Sequence, residues 1–218
     1  MTTRKKIAYS AHELEEMTKI QFVTLYNRLS VMGDFKADKY FKNLIIRIIS
    51  CLGYKRNHAI SKIEDTPICI GHIPLVPAVN IDFLDINDQM TIAGGKNFVD
   101  QNSIQENTGC FEGIYAWWVI DVEDGSNFSD EPISPKDQAR LITGKGRLPL
   151  LTPEIIALSL HTDVSISRSI CACESACFNE GNVPFVFKGI KGTKPRLDCG
   201  NPSNYFANCG SPSCRMRV

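Results

Sequence analysis

Residues 114–122 read IYAWWVIDV, nine positions with one charge among them, and a run of this kind leaves few folds open. Aromatic and β-branched side chains occupy both alternating sets of positions, so an extended strand here has no polar face to offer water. The pattern predicts a central strand over 114–122 that is covered on both sides. Whatever covers it must come from the rest of the chain.

The first 60 residues offer two amphipathic helices. Ser10 followed three residues later by Glu13 is a capping box, and Leu14, Met17, Val23, Tyr26 and Leu29 fall near one face of a helix that Gly33 would end. A second helix is expected from about residue 36, with Phe41, Leu44, Ile45, Ile48 and Leu52 at intervals of three and four and Gly53 as its stop. Residues 68–100 mix β-branched residues with Pro74, Pro77, Gly94 and Gly95, which predicts short strands and turns. Residues 101–112 are polar and irregular and read as an exposed loop. Ser134 with Pro135, and Thr152 with Pro153, mark the starts of two short helices. Beyond Thr162 the segments VSISRSICA, VPFVFKGI and PRLDC predict a small antiparallel meander.

These elements add up to an α+β fold: two N-terminal helices, a central mostly antiparallel sheet with two short helices, and a Cys-rich C-terminal β-meander. A chain of 218 residues is long enough for one substantial core. The expectation is one compact domain over 1–218, with a helical part at 1–60, an α+β part at 61–170 and a Cys-rich part at 171–218.

Twenty-four basic and 24 acidic side chains cancel, so no global charge favours nucleic acid or an anionic membrane. Locally the ends are basic and the middle acidic, with eleven Lys and Arg against five acids over 1–60 and seven against sixteen over 61–170. The aromatics concentrate in the expected core, away from any basic stripe that could stack bases. No secretory leader and no membrane span are read from the chain, which suggests a cytoplasmic protein whose partner is another protein or a small molecule.

Nine cysteines are unevenly placed. Cys51, Cys69 and Cys110 are scattered, whereas Cys171, Cys173, Cys177, Cys199, Cys209 and Cys214 fall in the last 48 residues. Converging thiolates suit Zn²⁺, which takes four soft ligands in a tetrahedron, and Cys173, Cys177, Cys209 and Cys214 are the expected ligands. The spacings Cys-x-Cys-x3-Cys and Cys-x9-Cys-x4-Cys are not paired zinc knuckles, so buried inert thiols and disulfides stay open beside zinc. A nucleophilic cysteine would need a base, and His161, at the end of an expected helix, is the nearest histidine in sequence. A histidine in that place also reads as a surface group favoured by the helix dipole.

Among carboxylates, Asp82, Asp85 and Asp88 lack a calcium-loop layout and read as turn formers and caps. Asp121, Glu123 and Asp124 stand at the exit of the core strand, where they could line a cleft, bind a cation or transfer protons, or simply be solvated. Neither Gly94-Gly95-Lys96 nor Gly144-Lys145-Gly146-Arg147 is a phosphate loop, although Arg147 could present a bidentate fork to an anion.

The stretches GIYAWWVIDVEDGSNFSDE, GKGRLPLLTPEIIALSLHTDV and PRLDCGNPSNYFANCGSPSCR resemble a family of uncharacterised bacterial proteins known only as a domain of unknown function. The resemblance covers 115–215. Its motif positions fall on Asp121, Val122 and Gly125, on Gly146, Arg147, Pro149 and Thr152, on His161, and on Cys199, Asn201 and Pro202. The chain departs from the pattern with an additional Leu151, a shorter Cys-Gly-Asn-Pro and Tyr205-Phe206 in place of a Trp-Leu pair. The resemblance implies no activity, but it groups Arg147, His161, Cys199 and Asn201 as a possible shared pocket, with Asp121 a further binding candidate. Two functions follow as expectations. One is a binding or interaction domain with a thiolate-zinc or disulfide-stabilised C-terminal region. The other is a thiol-dependent enzyme with a C-terminal cysteine as nucleophile, Cys199 being the candidate, and His161 as base.

Overall fold

A computed structural model describes residues 6–32, 38–64, 67–69, 72–106, 111–126, 133–177, 182–189, 194–203 and 209–218. Gly33, the start near residue 36, Cys110 and Tyr205-Phe206 lie outside the described residues, as does the side chain of Cys69.

In chain order the elements are β1 (Lys6–Ile7), α1 (Ala11–Ser30), α2 (Lys39–Glu64), β2 (Ile68–Cys69), β3 (Ile73–Val79), α3 (Ile86–Ile92), β4 (Lys96–Asn97) and β5 (Ile104–Glu106). They continue with β6 (Ala116–Val122), α4 (Pro135–Gly144), β7 (Leu148–Pro149), α5 (Thr152–His161), α6 (Val164–Ser167), β8 (Ser169–Cys171) and β9 (Ser175–Cys177). The last are β10 (Val183–Phe187), β11 (Arg196–Gly200), β12 (Cys209–Gly210), β13 (Ser213–Cys214) and β14 (Met216–Arg217). The fold is α+β, with two N-terminal helices and a C-terminal run of strands. No helix among the described residues is long and apolar enough to cross a membrane.

β6 is the middle strand of the antiparallel sheet β14-β6-β3, and every one of its residues is buried. Its alternation explains why both faces had to be apolar. Ala116, Trp118 and Ile120 face a core built with α1 and α2, whereas Trp117 and Val119, joined by Val122 beyond the break in alternation at Asp121, face a second core that includes Ile155, Ile156 and Leu158 of α5. Each indole N–H finds an acceptor on its own side, Trp118 at the Leu52 carbonyl (2.9 Å) and Trp117 at the Glu154 carboxylate (2.9 Å). Buried tryptophans are tolerated on this condition.

The C-terminal strands form a mixed sheet of order β12-β8-β10-β11-β4. The antiparallel meander expected from sequence is its centre, β8-β10-β11, and β12 and β4 add to its edges in parallel.

Five details differ from the sequence reading, the first being that residues 101–106, expected as part of an exposed loop, form a 3-10 turn and β5 with Ile104 buried in the core. α2 runs through Gly53 to Glu64, because Ala59, Ile60 and Ile63 extend its buried stripe; that burial outweighs the roughly 1 kcal/mol that a mid-helix glycine costs. Val23 and Tyr26 of α1 are exposed, and its buried face carries Thr18, Gln21 and Leu25 instead. Gln21 buries its amide by donating to the Leu75 carbonyl at 2.8 Å. Within 68–100 the chain forms α3, capped by Asp85, which accepts from the Asp88 backbone N–H at 2.8 Å. Residues 164–167 are helical rather than extended.

Candidate functional site

Two polar regions were candidates, and the structure treats them differently. At the exit of β6, Asp121 is the one non-glycine residue with positive φ among the described residues (52°). That backbone costs on the order of 1 kcal/mol or more and persists only where the surroundings impose it. Here they do. His72 Nδ1 lies 2.8 Å from Asp121 Oδ1, Arg147 Nη1 donates to Asp121 Oδ2 at 3.0 Å, and Arg147 Nη2 donates to the Asp121 carbonyl. Arg147 also donates from Nε to Ser213 Oγ (2.9 Å) and from Nη2 to the Ser213 carbonyl (3.1 Å), with Glu123 3.6 Å from its Nε. Burial by itself would raise the Asp121 carboxyl, but the His72 hydrogen bond and the Arg147 charge outweigh it and hold the group below its ordinary range.

The guanidinium fork of Arg147 is thus occupied from within the chain, binding the α4–β7 turn to β6 and β13. It is a clamp rather than an open anion site, because its donors already face chain acceptors. Next to it the backbones of Gly125 and Gly210 touch. A Cβ on Gly210 would sit 2.7 Å from the Gly125 carbonyl oxygen, and Gly125 has φ +80°. Sequence reasoning brought Asp121 and Arg147 forward as separate binding residues, and the structure brings them together as partners of one another.

A second buried knot was not foreseen. Arg217 of β14 donates to both oxygens of Glu154 on α5 (2.6 and 2.9 Å), to Glu174 (2.8 Å) and to the Pro149 carbonyl (2.7 Å). Glu154 also accepts from Trp117 and from the Leu151 N–H (2.8 Å). Burial opposes a charge on Arg217, yet the carboxylates raise its pKa above the ordinary value. Close by, Glu106 accepts from Ser175 Oγ (2.7 Å) and from the Thr152 N–H (3.3 Å), and burial pushes its carboxyl up to about 7. The only sequence signals were an acid in the first turn of α5 and a basic penultimate residue, which surface residues share.

The cysteines separate into groups. Cys177 and Cys199 form a disulfide, which removes Cys177 from the expected ligand set and Cys199 from the role of free nucleophile. Cys171, Cys173 and Cys209 share one apolar cluster with Val183, Phe185 and Phe187. There Cys171 Sγ is 3.3 Å from Cys173 Sγ, which lies 2.8 Å from Ser211 Oγ. Burial, then the neighbouring Cys173, push Cys171 up, and burial pushes Cys209 up to about 12. Cys214 packs in the core beside α5 instead, its thiol also raised by burial. Among the described residues, no three His, Cys, Asp or Glu side chains are arranged to hold a metal ion.

His161 does not meet Cys199. It is half-buried at the end of α5, with its Nε2 buried and without a hydrogen-bond partner, and burial brings its pKa down to about 4. Asn201 is exposed and turns the chain locally, accepting from the Ser203 N–H at 2.8 Å. No hydrogen bond or ion pair joins Arg147 or His161 to Cys199 or Asn201 among the described residues.

The disulfide does line a cleft, of about 210 Å³, with Phe98, Val99, Asp100, Ser103, Asn182 and Asp198. Local structure builds it. The parallel pairing of β4 with β11, continued by Phe98 N–H donating to the Leu197 carbonyl (2.9 Å), sets Phe98 beside Asp198 and Cys199. Asn97 pins the turn, donating to the Val99 carbonyl (2.7 Å) and accepting from the Val99 N–H (3.0 Å). Asp100 caps the 3-10 turn that leads into β5, whose Ile104 pairs with Cys177 of β9. The disulfide therefore links the β5–β9 pair to the mixed sheet at this point. Asp198 accepts from the Cys199 N–H (2.9 Å) and lies 3.9 Å from Arg196, whose guanidinium sits over the Phe187 ring.

Set beside known proteins, this chain matches no family model, no curated protein and no solved structure.

Proposed function

We propose that the protein is a binding domain for a small organic cation, which it takes up in the cleft beside the Cys177–Cys199 disulfide. The observation that carries this reading is the lining: two carboxylates, Asp100 and Asp198, one aromatic side chain, Phe98, that is 64% exposed, and no basic side chain among the described lining residues. Two carboxylates bordering one cleft favour a positive charge, and an open aromatic face adds a cation–π contribution of about 0.5–1 kcal/mol. At about 210 Å³ the cleft falls below the roughly 300–1,000 Å³ of drug-sized sites, which sets the ligand at a few heavy atoms.

The disulfide-tied C-terminal region serves this reading by fixing two cleft walls on separate sheets. A cytoplasmic setting belongs to the same proposal, and there a reducing environment would keep the Cys177–Cys199 pair under redox control. The thiol-enzyme alternative gains no support from His161, which stands apart with its Nε2 unpartnered. A zinc site drawn from the described free thiols would rest on Cys171, Cys173 and Cys209, and metal analysis of reduced protein tests it.

Calorimetric titration with butylammonium, butanol and butyrate tests the reading. Binding of the ammonium alone, weakened at least fivefold by Asp198→Asn, is the expected result. Equal heats for all three, or none for the ammonium at millimolar concentration, would overturn it.

A further inference from the structure

The disulfide is part of the cleft wall, so any molecule that enters meets sulfur. We propose that the cleft admits a small cationic thiol, an aminothiol, which exchanges with the disulfide at Cys199. This deepens the cation-binding reading and rests on it.

Three observations converge. Both cysteines line the cleft, but Cys177 is only 7% exposed whereas Cys199 is half-buried, so Cys199 is the cysteine more open to an incoming thiolate. Asp100 and Asp198 border the same space, and their field concentrates cations and repels anions. Arg196, 3.9 Å from Asp198, stacks on Phe187 and does not line the cleft. The remaining described thiols of the C-terminal region, Cys171, Cys173, Cys209 and Cys214, are free and hold no S–S bond for an incoming thiolate to attack.

The exchange balances without a further oxidant. The aminothiol first gives its thiol proton to solvent. Its thiolate then forms a new S–S bond to Cys199 Sγ as the Cys177–Cys199 bond breaks. The electron pair of that bond leaves on Cys177 Sγ, which takes a proton from solvent. The products are a mixed disulfide on Cys199 and a free thiol at Cys177, with the β5–β9 pair no longer tied to β11. Cys199 thereby acts as the sulfur that is attacked, the reverse of the nucleophile expected from sequence.

The test exposes the oxidised protein to cysteamine, 2-mercaptoethanol or 3-mercaptopropionate at equal thiolate concentration, followed by acid quench and peptide mass mapping. The adduct is expected on Cys199, about tenfold faster with cysteamine than with 3-mercaptopropionate and intermediate with the neutral thiol. That preference should shrink to about twofold in 1 M salt and in the Asp100→Asn/Asp198→Asn protein, the salt series standing alone if the variant does not fold. Equal rates for the three thiols, adducts on another cysteine, or no adduct would overturn the proposal. Butylammonium binding without an adduct would sink the exchange and leave the cation site standing; loss of both would remove the two together.

Discussion

Breaking the Cys177–Cys199 link tests how far the C-terminal region depends on it. The two residues are 22 apart in sequence, and closing a loop of that size removes chain entropy from the unfolded state worth about 3 kcal/mol in the polymer description. Native contacts change little when both sulfurs go, because Cys177 packs in the core as a small apolar group that alanine approximates. The perturbation is therefore Cys177→Ala/Cys199→Ala, assayed by urea unfolding beside the oxidised parent and the parent in reductant. A loss of about 3 kcal/mol at nearly unchanged slope is expected, equivalent to roughly 6–12 °C in Tm for a chain of this size. The reduced parent should fall beside the variant. A difference under about 0.5 kcal/mol, with the parent shown to be oxidised, would refute the idea that the tie shapes the stability of this region.

Three other outcomes follow from the buried knots and the glycine contact. Arg217→Met should cost about 3–5 kcal/mol in urea unfolding because it strands Glu154 without its cation, and adding Glu154→Gln should recover part of that loss. Glu106 has a folded pKa of about 7 against an ordinary 4.5, so its contribution is fully present below pH 4.5 and is lost as pH rises through 7. On that account Glu106→Gln should remove a decline on the order of 2 kcal/mol between those limits, read from unfolding midpoints across pH. Gly210→Ala drives a methyl to 2.7 Å from the Gly125 oxygen, and a thermal melt should register a loss of about 2 kcal/mol or more.

The helices were legible where their stop and start signals are local. Ser10 with Glu13 and Ser134 with Pro135 each placed a helix start within a residue of where it lies. Gly53 misled, since its effect on the helix is small beside the burial of Ile60 and Ile63, which a local reading undervalues. Asp121 and Arg147 were both picked out, yet their meeting depends on β13 returning alongside β7 and β6, which no spacing within either motif encodes. The cleft was not legible at all: it needs Phe98 and Asp100 from one stretch and Cys177, Asp198 and Cys199 from two others.

What the sequence determined by itself is the need for two layers around one strand. Nine residues with no polar face compel cover on both sides, and two N-terminal helices with matching stripes supply one of the covers. Tertiary structure alone decided which thiols pair, which cation meets which carboxylate, and where a cleft opens. Burial pattern is written in consecutive residues and follows from hydration, whereas pairing is set by strand order and register, which place side chains dozens of positions apart within bonding distance.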